Sequence, residues 1–349
     1  MRAAKVVLAF CLLVLGSAYL PFLHEVYAQD SFAQDGEAQE MSDMLKRMND
    51  AFATQSYDGV FSYYTGGDLA SLRVVHKVID GVRRERLVHL NGAPREIVRH
   101  GDDVSCIVMP GDDLIALENS IPAGPFARAF VRQFESIADV YRLDSFGEGR
   151  VANRPANRIV VSPKDGHRYG YRLWLDKQTS LLLRAELVDH AGTKLEIFMF
   201  NHVLFGDEVT DAALEPQESS GAMVSHLTLR PANQEWQPPA EAKEPMPSSW
   251  ATNWLPPGFT MATSDLRHKA DADHHVSSFL YSDGLAVFSI YIEPMPKRGA
   301  ATMVSQNGAT VAVTHRLSGD SGYYLVTLVG EIPESTARKI ITNVNQKKS

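Results

Sequence analysis

Five arginines lie between Val82 and Val108, and four of them, Arg84, Arg86, Arg95 and Arg99, fall at spacings that could share one strand face. Guanidinium groups hold oxyanions bidentately, so such a cluster suits a lipid phosphate, another anion or a peptide. Leu90-Asn91-Gly92-Ala93 separates the two pairs, and Asn-Gly between apolar-rich runs signals a hairpin because both residues tolerate positive φ. A two-residue turn sets Leu90 against Ala93 and Arg84 against Arg99. All four arginines then share a face with Val88, Leu90, Ala93 and Ile97. Like charges directly opposite are unfavourable unless an anion lies between them. A competing reading needs no ligand: Glu85, Glu96 or distant carboxylates neutralise the arginines, or the strands bulge.

Two other constellations could do chemistry. Gly319-Asp320-Ser321-Gly322 resembles the nucleophile segment of a chymotrypsin-like protease. That chemistry needs a histidine base and an aspartate to orient it. Here Tyr323-Tyr324 follows and apparent strands flank the motif, so a hairpin turn explains it. His268, His274 and His275 sit among Asp265, Asp271 and Asp273. A metal would require a definite ligand geometry, and the segment reads as a solvated loop. There is no phosphate-binding glycine loop, no His-Glu-x-x-His and no dinucleotide fingerprint. The expected activity is binding, with no catalytic residue, cofactor or metal.

The elements that must position these residues are mostly strands. An amphipathic helix is predicted over 39–54, where Met41, Met44, Leu45, Met48, Ala51 and Phe52 recur at three- and four-residue steps. Strands are predicted over 57–64, 71–79, 103–109 and 114–117, with turns at Gly66-Gly67, Asp80-Gly81 and Pro110-Gly111. A helix over 125–137 precedes strands at 139–146, 158–161, 168–175, 181–188 and 194–204. Such spacing argues for one large antiparallel sheet, closed or strongly curved. Leu181, Leu183 and Leu187 alternate with Leu182 and Val188, so these strands are apolar on both faces and need a second layer or a ligand cavity.

Prolines 231, 238, 239, 245, 247, 256 and 257 mark a linker over 232–253 between a large unit, 29–231, and a small α+β unit, 254–349. The small unit carries predicted strands at 279–282, 285–292, 310–317 and 323–329 and a helix at 334–343. Few contacts usually cross such a boundary, so each unit is expected to fold alone.

The chain has 349 residues, 44% hydrophobic and 22% charged, which is ordinary for a protein with a proper core. A formal charge of -8 does not suggest a general nucleic-acid binder. Arg2 and Lys5, the apolar run Val6 to Leu15 and Val26-Tyr27-Ala28 predict a signal peptide over 1–28, and hence export. Of the two cysteines, Cys11 falls in that signal and Cys106 is left without an internal disulfide partner, alternating with Val104 and Val108 like a small core residue.

Tyr57-Asp58-Gly59-Val60-Phe61, Arg73-Val74-Val75-His76, Glu85 to Gly92, Pro94-Arg95-Glu96 and Val104-Ser105-Cys106 resemble the N-terminal domain of the MucB/RseB family. Leu255-Pro256-Pro257-Gly258-Phe259, Tyr281-Ser282-Asp283-Gly284-Leu285, Val287-Phe288-Ser289 and Val329-Gly330-Glu331-Ile332-Pro333 resemble its C-terminal domain. The resemblance implies an α+β fold: a large antiparallel half-open β-barrel domain with helices, like that of the lipoprotein carriers, plus a smaller α+β domain. It implies a periplasmic negative regulator of the sigma-E envelope stress response, bound to the periplasmic part of a transmembrane anti-sigma factor. Such a protein shields that factor from regulated proteolysis and is released by lipopolysaccharide or another lipid. A homo-oligomer stays open. The alternative is a lipid or lipoprotein carrier, which has no need of the second unit. On physical grounds the four arginines are candidate lipid or anion contacts, and Tyr281, Asp283, His315 and Tyr324 are candidate partner contacts.

Overall fold

A computed structural model describes residues 22–101, 103–108, 137–216, 223–228, 250–268, 275–295, 302–319 and 322–347. The predicted strand at 114–117 and helix residues 125–136 lie outside these, as do Asp320, Ser321 and the first part of the expected signal peptide.

Helix α1 (Phe22–Thr54) leads into strands β1 (Tyr57–Thr65), β2 (Asp68–Ile79), β3 (Val82–His89), β4 (Arg95–His100) and β5 (Asp103–Val108). A short helix α2 (Ile137–Val140) precedes β6 (Tyr141–Val151), β7 (Arg154–Pro163), β8 (Gly170–Asp176), β9 (Leu182–Val188), β10 (Lys194–Phe205) and β11 (Met223–Thr228). These strands make one antiparallel sheet in the order β11-β5-β4-β3-β2-β1-β10-β9-β8-β7-β6. Its end strands do not pair with each other, so the barrel is half-open.

The methionine-rich stripe of α1 is core. Met41, Leu45 and Met48 are buried against Leu143, Ile159, Val161, Leu173, Ala185 and Leu187. Register carries the same face across the sheet: Ile159, Leu173, Ala185, Phe198 and Tyr63 stand in one cross-strand row. Phe61 is paired with Leu72 and Phe200, Val74 with Leu87, and Leu87 with Ile97. Cross-strand partners share a face, so α1 marks the main apolar face of the whole sheet.

The second unit holds β12 (Trp250–Thr252), β13 (Thr260–His268), β14 (His275–Ser282), β15 (Val287–Met295), β16 (Val304–Asn307), β17 (Thr310–Gly319), β18 (Gly322–Gly330), α3 (Glu334–Ile341) and β19 (Val344–Gln346). Its six-stranded sheet runs β13-β14-β15-β18-β17-β16, and β12 pairs with β19 as a separate ribbon. Residues 250–252 are therefore strand rather than linker. His268 and His275 lie in paired strands, not in the predicted loop. Gly319 pairs with Gly322 across the end of the β17–β18 ladder, and Asp320 and Ser321 between them lie outside the described residues. Among the described residues no group of histidine, cysteine and acidic side chains is arranged to hold a metal.

Candidate functional site

The arginine hairpin has a different register from the one the Asn-Gly turn predicts. Arg99 stands opposite Glu85 and Arg84 opposite His100, one residue away from the predicted Arg84–Arg99 pair. The cause is Asn91. Its side-chain oxygen accepts the Ser71 N–H at 2.7 Å and its amide donates to the Leu69 carbonyl at 3.1 Å. Asn91 thus caps the neighbouring strand, and of the two turn residues only Gly92 takes a positive φ. A one-residue slip exchanges faces. Arg84 and Arg86 point to one side of the sheet, and Arg95 and Arg99 to the α1 side.

A shared four-arginine patch is therefore corrected. Arg86 is buried and grips Glu96 bidentately, both contacts at 3.0 Å, while its third nitrogen donates to the Ala213 carbonyl at 3.2 Å. The neutralised reading holds for Arg86. Arg84 lies beside Asp211, whose carboxyl is held low by Lys77 and further by Arg84. On the α1 side, Arg99 faces Glu85 near buried His76. His76 stacks on Tyr57 with centroids 5.0 Å apart, and its Nδ1 meets the Gln55 carbonyl at 2.7 Å. A carbonyl only accepts, so Nδ1 carries the proton. Nε2 is buried without a partner.

The candidate partner residues separate as well. Tyr281 is stacked on Phe288 and Tyr324 is edge-on to Trp250 at 4.7 Å. His315 pairs with buried Val326 on the same face, the one α3 packs against. Asp283 is elsewhere, with an internal role that sequence reasoning did not assign. Its Oδ1 accepts the N–H groups of Leu285 and Ala286 at 2.9 and 2.7 Å, closing the β14–β15 turn. Its Oδ2 accepts Arg168 Nη1 at 2.6 Å and the Tyr141 hydroxyl at 3.1 Å, both from the large domain.

Arg168 is fully buried and every donor group is engaged. Nε and Nη2 reach Asp165 at 3.1 and 3.0 Å, and Nη2 also reaches the Pro257 carbonyl at 2.5 Å. Its guanidinium sits over the rings of Tyr141 and Phe259. Burial pushes the Asp283 carboxyl up, while the turn N–H groups and Arg168 oppose that. Burial, then Asp283, pushes the Tyr141 hydroxyl well above its ordinary value. Beside this lock, His167 meets Thr336 at 3.2 Å and the edge of Trp254, which carries Lys339 Nζ 3.8 Å from its ring centre.

A second contact joins the domains at the β16–β17 turn. Glu196 of β10 is buried; it accepts the Ala309 N–H at 3.2 Å, the Tyr63 hydroxyl at 2.7 Å and the Thr65 hydroxyl at 3.4 Å. The Asn307-Gly308 turn interlocks with the Gly66-Gly67 turn so closely that a Cβ on Gly66 would run into Asn307. Leu285 and Ala309 of the small domain belong to the core cluster that holds α1. The expectation that few contacts cross the boundary is therefore corrected. The proline-rich stretch separates the domains along the chain, and buried charged and apolar contacts rejoin them.

Both domains match known proteins. Residues 40–218 match the MucB/RseB N-terminal domain and residues 244–345 the MucB/RseB C-terminal domain. The Sigma factor AlgU regulatory protein MucB of Pseudomonas aeruginosa is 36% identical over 311 residues, 88% of this chain and 92% of the relative. The Sigma-E factor regulatory protein RseB of Escherichia coli K12 is 28% identical over 302 residues, 86% of this chain and 89% of the relative. A solved complex of Pseudomonas aeruginosa MucA/MucB superposes with a TM-score of 0.70 at 33% identity, covering 89% of this chain and 100% of that one. A crystal structure of MucB in complex with MucA(peri) gives a TM-score of 0.69 at 32% identity, covering 88% and 99%. The chain belongs to the MucB/RseB family.

Proposed function

We propose that this protein is a periplasmic regulator that binds the periplasmic domain of a transmembrane anti-sigma factor. In this reading it shields that factor from regulated proteolysis and so represses a sigma-E-type envelope stress response. The observation that carries it is the two-domain match to a chain solved with its partner, at 33% identity and over 89% of this sequence. The buried Arg168–Asp283 lock supports it too, because it presents both domains together to a partner. Binding rather than catalysis accounts for the side chains, since the buried carboxylates are engaged structurally: Glu96, Asp176 and Glu186 in ion pairs within the large domain, and Glu196 and Asp283 across the domain boundary.

Release by lipopolysaccharide or another lipid is part of the proposal. For a lipid to act as inducer it must favour the form that binds the partner less well, and partner binding must then weaken lipid binding by the same factor. Arg95 and Arg99, on the apolar α1 side, are better placed than Arg86 to meet a lipid phosphate. The test titrates the periplasmic domain of the anti-sigma factor from the same organism into the purified full chain, with and without lipopolysaccharide at fixed salt. A saturable complex that lipid weakens is expected. No complex would sink the regulatory reading, and an unchanged affinity at saturating lipid would sink the release step alone.

A further inference from the structure

The face of the large sheet turned away from α1 carries a row of stacked cations. Arg158 of β7 pairs with Trp174 of β8, Trp174 with Arg184 of β9, and Arg184 with Met199 of β10. Cross-strand partners share a face, and this row stands one residue out of step with Ile159, Leu173, Ala185 and Phe198 on the α1 side. The Arg158 guanidinium lies over the ring of Phe146 on β6, 4.6 Å from its centre, and Phe146 is exposed. The Arg184 guanidinium lies over Trp174 at 4.7 Å. Arg158 forms no ion pair among the described residues, and its Nε is buried without a partner.

The adjacent row adds more positive charge. Arg172 pairs with Glu186, whose buried carboxylate meets Arg172 Nη1 at 3.5 Å, Lys194 Nζ at 2.9 Å and the Arg184 guanidinium. One carboxylate thus fixes three cations in place and neutralises the charge of one. Arg172 and Lys194 each keep 42% of the side chain exposed. The nearby exposed acids are already occupied: Asp144 by Arg142 and Glu148 by Lys177. On a chain of formal charge -8, this face is a local excess of cations held in fixed positions.

We propose that this face docks an acidic polypeptide segment that crosses β6 to β9 with its carboxylates on Arg158 and Arg184. Charge complementarity sets the class of partner, because guanidinium groups take carboxylates bidentately. The spacing narrows it. Phe146 and Trp174 stand two strands apart, about 10 Å, and the cations they carry share that separation. A polyproline II segment turns once in about three residues and rises about 3.1 Å per residue, so every third side chain returns to the same side about 9 Å further on. Acidic residues at i and i+3 then reach both arginines together. Such segments dock on aromatic surfaces. The face is the outside of a half-open barrel and encloses no acyl chain, which favours a peptide over a lipid.

Fluorescence polarisation tests this with the full chain and a labelled Pro-Pro-Glu repeat peptide, against Pro-Pro-Gln and Pro-Pro-Lys repeats of the same length. Saturable binding is expected for the glutamate peptide alone. Arg158→Gln should weaken it about tenfold, and Arg172→Gln should weaken it too. Arg338→Gln, which removes the same charge from α3, should leave it unchanged. A Pro-Glu repeat of equal charge breaks the three-residue spacing and should bind less well. Amide hydrogen exchange across β7 to β9 checks that each variant keeps the large sheet. No binding, equal binding of the glutamine or Pro-Glu repeats, or equal affinity in wild type and Arg158→Gln would each overturn the proposal. So would phosphatidylglycerol vesicles that bind through Arg158 where the peptide does not, which would give the face to a membrane. A dimer in sedimentation that Arg158→Gln dissolves would give it to a second copy and overturn it as well. The peptide probe contains no anti-sigma factor, so its failure leaves the regulatory reading untouched.

Discussion

Arg168 and Asp283 meet at 2.6 Å, both fully buried side chains, one from each domain and 115 residues apart in sequence. Removing one member of a buried pair strands the other charge, at a typical cost of about 3–5 kcal/mol. Arg168→Ala and Asp283→Ala should each lower the urea midpoint accordingly. The double variant should lose much less than the two single losses added together, because neither charge is then left alone. Additive losses would show that the pair does not couple.

The domains should not be independent. A chain ending at Gln237 lacks Leu285, Ala309 and Asp283, so it opens the core around α1 and leaves Arg168 without its interdomain partner. Its thermal midpoint is expected to fall below that of the full chain. An equal midpoint would restore the view of two units joined only by a linker.

His76 gives the large domain a pH dependence on the acid side. Burial lowers its pKa below 6.5, so the folded state prefers the neutral ring while the unfolded chain binds a proton more readily. Its contribution is complete above about pH 6.5 and declines as pH falls below that value. His76→Gln should be less stable than wild type at pH 8, yet show a shallower fall in melting temperature between pH 6.5 and 5. Parallel curves would remove His76 from the acid response.

Gly308 is a steric checkpoint of the turn-on-turn contact. It has φ 58°, and a Cβ there would meet Thr65 Oγ1 and stand 3.2 Å from both Glu196 Oε1 and Gly66 N. Gly81 has φ 76° with nothing within 4 Å of the same position. Both alanine variants carry the left-handed backbone cost of roughly 1–2 kcal/mol. Only Gly308→Ala should also raise exchange at residues 304–313. Matching exchange in the two variants would mean that the contact has slack.

Local order determined most of the elements. Alternation placed most strands of the large sheet, because the period is set by the backbone itself, but it missed β11 and stopped four to five residues short on β6 and β7. The three- and four-residue steps of Met41, Leu45 and Met48 marked the buried stripe of α1 for the same reason. Segment-level resemblance carried the family across the whole chain.

What the chain could not disclose locally was pairing. The Asn91-Gly92 signal is real turn chemistry, but Asn91 spends its side chain on Ser71 and Leu69 of another strand, which slips the hairpin and parts the arginines. Asp283-Gly284 likewise reads as a turn and is one, yet its spare oxygen takes Arg168 from a distant loop. A residue's type limits which bonds it can form; only the tertiary structure decides which partner arrives, because burial makes each unpaired polar group costly enough to select one arrangement.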